Sequence, residues 1–156
     1  MRIEYRPIGL IHTPHETTAA APIQPSRAKG ARGTVELFAD YAEGLRDLDG
    51  FSHIILLYHL HESNGYRLRV TPFLDTEPHG LFATRAPWRP NPIGLSVVRL
   101  VAVEENNVVV RDVDMLDGTP LLDIKPYVTE FDQRTEVRLG WCEAGLKRKR
   151  TTAGED

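Results

Sequence analysis

The 156-residue sequence predicts a mainly β protein: one domain of short, largely antiparallel strands closed or nearly closed into a barrel, with one or two short helices. Three observations carry this reading. About seven short runs either alternate apolar with polar or are apolar throughout, and turn chemistry bounds most of them. Only one stretch, after Asp40, reads convincingly as helix. No strand–helix–strand alternation is present, so the strands must protect their edges by closing on themselves.

Taken in order, residues 5–12 make a first strand stopped by Thr13-Pro14. Residues 14–31 form an irregular loop of a length that, inside a compact domain, is usually functional or disordered. Residues 33–38, GTVELF, alternate cleanly, and Asp40 is positioned to cap a short helix running to Leu48 before the Asp49-Gly50 turn. Residues 51–61 are apolar on both faces and read as a central strand. Asn64-Gly65 then turns the chain into a hairpin with residues 66–70. A second hairpin joins residues 95–103 to 108–113 through Asn106-Asn107, residues 121–124 add a strand, and residues 135–141 can add one more. The barrel domain is assigned to residues 1–145. Residues 146–156, with the run Lys147-Arg148-Lys149-Arg150, read as a basic, disordered tail.

Composition narrows the function. Lysine plus arginine number 19 against 22 acids, a net charge of −3, so any nucleic-acid contact must use a local basic patch. The candidates for RNA contact are Arg27, Lys29 and Arg32 in the early loop, Arg85 and Arg89 further on, and the run Lys147-Arg148-Lys149-Arg150. Cys142 is the sole cysteine, which excludes an intrachain disulfide and a cysteine-rich zinc site. The N-terminus has no signal-peptide pattern, and no apolar run approaches the roughly 20 residues that span a bilayer, so a cytoplasmic protein without membrane association is expected.

Residues 82–96, FATRAPWRPNPIGLS, are the most constrained segment. Pro87, Pro90 and Pro92 lack N–H donors and fix φ, so neither helix nor a central strand can absorb them. The result is a stiff, extended loop that presents Arg85 and Arg89 with little backbone freedom left to lose, an arrangement suited to an anion. His53, His59 and His61 share one strand face but cannot close a tetrahedron alone, so no metal is expected. Asp112, Asp114, Asp117 and Gly118 miss the calcium-loop register, with Leu116 at a ligand position. The glycine-rich turn of dinucleotide-type methyltransferases is also absent, since Gly30-x-x-Gly33 is too short and precedes a strand.

The proline-rich segment followed by DGTPLLDIKPY at residues 117–127 resembles the paired signature of the TsaA-like family, whose characterised members are tRNA methyltransferase O enzymes. YRPIGLIHTP, IQPSRAKGARGTVELF, LRDLDGFSHIILLYHLH and the late VRLGW extend the resemblance to about Cys142. It implies a β-barrel that binds S-adenosylmethionine and methylates the exocyclic amine of threonylcarbamoyl-adenosine beside the tRNA anticodon, working as a homodimer. A sensor that only binds the cofactor, a small-molecule methyltransferase and an RNA-binding module without transfer chemistry are the rivals.

By the same resemblance Gln24 and Pro25 close over the cofactor, and His61 and Glu62 line its pocket. The turn Asp117-Gly118-Thr119-Pro120 and the loop before Leu95 converge on the adenosyl group, with Arg85 able to pair the cofactor's carboxylate. Transfer from a sulfonium is an in-line displacement that chiefly needs contact and exclusion of water. An acceptor could assist the poorly nucleophilic amine; Asp117, Asp123 and Tyr127 are the candidates.

Overall fold

The computed structural model describes residues 1–17 and 29–154. Its strands are β1 (Gly9–His12), β2 (Arg32–Leu37), β3 (His53–His59), β4 (Arg69–Val70), β5 (His79–Gly80), β6 (Ile93–Glu104), β7 (Asn107–Arg111) and β8 (Thr119–Pro126). Six of them close an antiparallel barrel in the order β1-β2-β7-β6-β3-β8, with β8 returning to β1. Period-two alternation sends one face of each strand inward. Ile11, Val35, Ile54, Leu56, Val98, Val108, Val110 and Leu121 therefore fill the interior with no exposed surface.

β3 is central as expected, paired with β6 on one side and β8 on the other. Its outer residues Ile55 and Leu57 are only half-buried, so the apolar second face lies on the outside of the barrel. The β6–β7 hairpin turns one residue earlier than Asn106-Asn107 would place it. Glu105 takes φ +56° before Asn106, and the Asn106 side chain donates to the Leu37 carbonyl at 2.7 Å.

Other expectations need correction. The first strand starts at Gly9, after Pro7 has interrupted residues 5–8. Residues 39–50 form two 3-10 segments, Ala39–Leu45 and Leu48–Gly50, and Asp40 makes no side-chain cap. Gly65 turns the chain at φ +67°, but the following residues do not return along β3; the Arg69–Val70 strand pairs with His79–Gly80 in a separate two-stranded sheet. Residues 135–141 form no strand, because Gly140 at φ +57° leads into a helix. After the four-residue α1 (Thr129–Asp132), that helix is α2 (Cys142–Ala153).

The basic run expected in a tail is thus helical. Lys147 pairs with Glu143 at 2.9 Å, and Arg148 donates to the Leu74 carbonyl at 3.1 Å. Trp141 fastens the start of α2: its Nε1 donates to the Ala83 carbonyl at 2.8 Å and its ring stacks on His79 at 4.7 Å. No helix is long and apolar enough to cross a membrane among the described residues.

Candidate active site

β3 ends at His59, and the following residues are stitched to the proline-rich loop. Leu60 N–H donates to the Pro92 carbonyl and Ser63 Oγ to the Pro87 carbonyl, each at 2.8 Å. Behind this seam lie two adjoining cavities. One, of 320 Å³, is walled by His61, Glu62, Trp88, Met115 and Thr119; the other, of 330 Å³, by Thr84, Arg89, Gly94 and Leu95. Tyr58, Leu60, Arg85 and Asp114 line both. Their volumes are ligand-sized. A larger hollow of 730 Å³ opens at the opposite mouth, among Tyr41, Phe51 and Asp123, but it contains no comparable buried polar chain.

Where the two cavities meet, three polar side chains form that chain. Ser96 Oγ donates to Asp114 Oδ1 at 2.6 Å, and Tyr58 Oη lies 2.8 Å from Ser96 Oγ. Because the single Ser96 proton is used on the carboxylate, Tyr58 must be the donor to Ser96. Burial, reinforced by Asp114, pushes the Tyr58 hydroxyl up to about 12, so it keeps its proton. Burial also raises Asp114 above the ordinary aspartate range, opposed first by the Ser96 hydrogen bond, then by its own backbone N–H, and last by the charges of His15 and Arg85. The site therefore couples a desolvated acid to a guanidinium with no hydrogen-bond or ion-pair partner among the described residues.

The local sequence explains this geometry. Tyr58 and Ser96 occupy inward positions of β3 and β6, where alternation otherwise places Ile54, Leu56 and Val98. Gly94 faces Tyr58 across the two strands, and the ring lies where a Cβ at residue 94 would be. These positions could have been found by asking which inward residues of each strand are polar. Asp114 follows β7 in a segment that carries no periodic signal.

The sequence-derived candidates are distributed unevenly around this site. His61, Glu62, Arg85, Leu95 and Thr119 line the paired cavities. Arg89, expected beside Arg85 as a second free guanidinium, is folded back on its own loop, donating to the Thr84 and Ala86 carbonyls at 2.9 and 3.1 Å. Asp117 accepts from Thr13 N–H at 3.0 Å, and Gly118 takes φ +76° while its N–H donates to Ile11. Both fasten the turn behind the cavity wall, and Pro120 faces an outer groove with His59 and Ile93. Asp123 pairs with Lys125 at 2.9 Å and lines the opposite mouth, while Tyr127 stands edge-on to His53 at 6.3 Å. The three acceptor candidates are therefore not brought together. Lys29 and Arg32 are exposed at the entry to β2, whereas Gln24, Pro25 and Arg27 lie outside the described residues.

Residues 10–133, which include both cavity-lining signatures, match the family model described as the tRNA-methyltransferase O N-terminal domain. The chain belongs to this family. Within it, a Pyrococcus abyssi protein named a probable S-adenosyl-L-methionine-binding protein is 58% identical over 146 residues, covering 94% of this chain and 79% of its own length. The Escherichia coli tRNA (adenine(37)-N6)-methyltransferase is 38% identical over 151 residues, covering 90% of this chain but 64% of its own. A crystal structure of TrmO from Pseudomonas aeruginosa superposes with a TM-score of 0.76 at 42% identity, over 90% of this chain and 62% of that one. The chain thus spans a little under two thirds of the length of these last two proteins.

Proposed function

We propose that this protein is an S-adenosylmethionine-dependent methyltransferase acting on the exocyclic amine of threonylcarbamoyl-adenosine beside the tRNA anticodon. The observation that carries the reading is the junction of two ligand-sized cavities at Asp114 and Arg85, lined by residues within the matched family domain. The residues fit the cofactor. The free Arg85 guanidinium suits its carboxylate, the Glu62 carboxylate its amino group, and the apolar walls at Leu60, Met115 and Trp88 an adenine ring. When bound, S-adenosylmethionine supplies a methyl group activated on a sulfonium.

The protein's own part is positioning. The proline-rich wall, stiffened by Pro87, Pro90 and Pro92, would hold the cofactor against the amine that receives its methyl group. Asp117, Asp123 and Tyr127 are each engaged elsewhere or remote from the cavities, so the acceptor for the amine N–H is assigned to Asp114. Its second oxygen is the one not used by Ser96.

A homodimer is part of the reading. Ile93, Leu95 and Val97 form an apolar stripe on the outside of β6, each 41 to 49% exposed, next to Ile55 and Leu57 of β3 and ending at Arg99. A contiguous apolar face of this kind marks an interaction surface, and a second copy covers it most simply. A protein acting on tRNA in this way works in the cytoplasm. Nucleoside mass spectrometry after incubation with cofactor and tRNA tests the function. Methylation is expected on tRNA bearing threonylcarbamoyl-adenosine and not on unmodified transcript; cofactor binding without transfer to either would make the protein a binding module, as the name of the Pyrococcus relative has it.

A further inference from the structure

Three arginines stand directly opposite one another on adjacent strands of the barrel. Arg32 of β2 is in register with Arg111 of β7, and Arg111 with Arg99 of β6. All three are exposed. The same row continues to His53 of β3, opposite Arg99, and the Tyr127 N–H donates to the His53 carbonyl at its far end. Across three strand spacings the row is about 14 Å long.

Like charges directly opposite in a sheet repel and weaken it. Among the described residues nothing relieves the repulsion, since none of them makes a hydrogen bond or ion pair with any of the three guanidiniums. The residues flanking the row along the same outer face are Thr34, Val109, Val97, Val101 and Ile55, and none is acidic. Asp112, the acid next to Arg111 in the chain, accepts from the Gly30 N–H at 2.7 Å. At the other end Ser52 Oγ lies 2.8 Å from His53 Nδ1, and Lys125, opposite Ile55, is paired with Asp123. An unneutralised line of arginines on a protein of net charge −3 is complementary to a polyanion.

We propose that Arg32, Arg111 and Arg99 form a track for the phosphate backbone of the substrate RNA. The proposal rests on the tRNA reading above. It adds Arg99 and Arg111 to the basic residues that engage RNA and gives Arg32 its partners. Asp114, which lines both cavities, follows Arg111 by three residues, so the Arg111 end of the row is the one joined to the site along the chain. The contacts are to phosphate and therefore set affinity and orientation without reading sequence.

The test is the salt dependence of tRNA binding by the full chain, measured by fluorescence anisotropy on wild type, Arg99→Ala/Arg111→Ala and Arg99→Lys/Arg111→Lys. The alanine pair should bind at least tenfold more weakly at low salt, with the log–log salt slope reduced by nearly one for each phosphate no longer neutralised, about two in all. The lysine pair should keep most of the slope. S-adenosylmethionine affinity should be unchanged in both, and the thermal midpoint of the alanine pair equal to or above that of wild type, since a repulsion has been removed. Unchanged tRNA affinity and slope in the alanine pair, with wild type still methylating modified tRNA, overturns the track alone. Wild type that binds RNA through these arginines yet transfers no methyl group keeps the track and overturns the reaction. A weaker alanine pair whose slope is unaltered would show a shape effect and also overturns the track.

Discussion

At the residue scale the junction of the cavities turns on Asp114. Its carboxyl is raised by burial, so the folded state favours the protonated form relative to the unfolded chain. That contribution to stability is complete below the ordinary aspartate range and is lost as pH rises through the raised value. Asp114→Asn keeps an acceptor for Ser96 and should leave the thermal midpoint at pH 7 unchanged or higher, with the gap to wild type closing on acidification. Methyl transfer should fall by about a hundredfold or more, the scale of a lost proton-handling group. A pH series of melting curves beside single-turnover transfer checks both signs. Arg85 contributes differently, through a free guanidinium on a rigid loop. Arg85→Ala should weaken cofactor binding by about ten- to a hundredfold, as befits a charge-assisted hydrogen bond of about 1.5–3 kcal/mol, without loss of fold; calorimetry and melting separate the two.

Elements hold these residues in place through close approaches that admit no side chain. Gly94 on β6 lies under the Tyr58 ring of β3, so Gly94→Ala forces the ring away from Ser96. Overpacking of this kind destabilises by about 1–3 kcal/mol. Denaturant melts should register it, and transfer should fall further than the stability loss alone explains. Gly145 performs a similar service for α2, because a Cβ there would sit 2.6 Å from the Leu74 carbonyl oxygen. Gly145→Val should detach α2 and open its lysines and arginines to trypsin while the barrel itself melts within about 1 kcal/mol of wild type. Limited proteolysis followed by mass spectrometry reads the difference.

For the whole molecule, the outer face of β6 is the surface assigned to the proposed homodimer. Leu95 is 49% exposed on that face and also lines one of the paired cavities, so the proposed interface and the site share a residue. Leu95→Glu places a charge in the apolar stripe and should convert the dimer to monomer, with a far-ultraviolet spectrum like that of wild type. Sedimentation equilibrium gives the mass directly. A wild-type protein that sediments as a monomer at the same concentration removes the dimer from the proposed function.

The sequence by itself determined the barrel, because period-two alternation and turn residues act locally. Glycine and proline at residues 65, 87, 90 and 92 impose their backbone geometry whatever surrounds them. It also marked half of the cavity walls through two motifs whose stiffness is intrinsic. Tertiary structure alone decided that residues 66–70 leave the barrel, that Arg89 is consumed by its own loop, and that residues 142–153 form a helix docked by Trp141. It alone brought Tyr58, Ser96 and Asp114 together and set Arg32, Arg111 and Arg99 in one row. Those juxtapositions join residues far apart in the chain, and their positions follow from strand order and register, which closure of the sheet settles and no local pattern encodes.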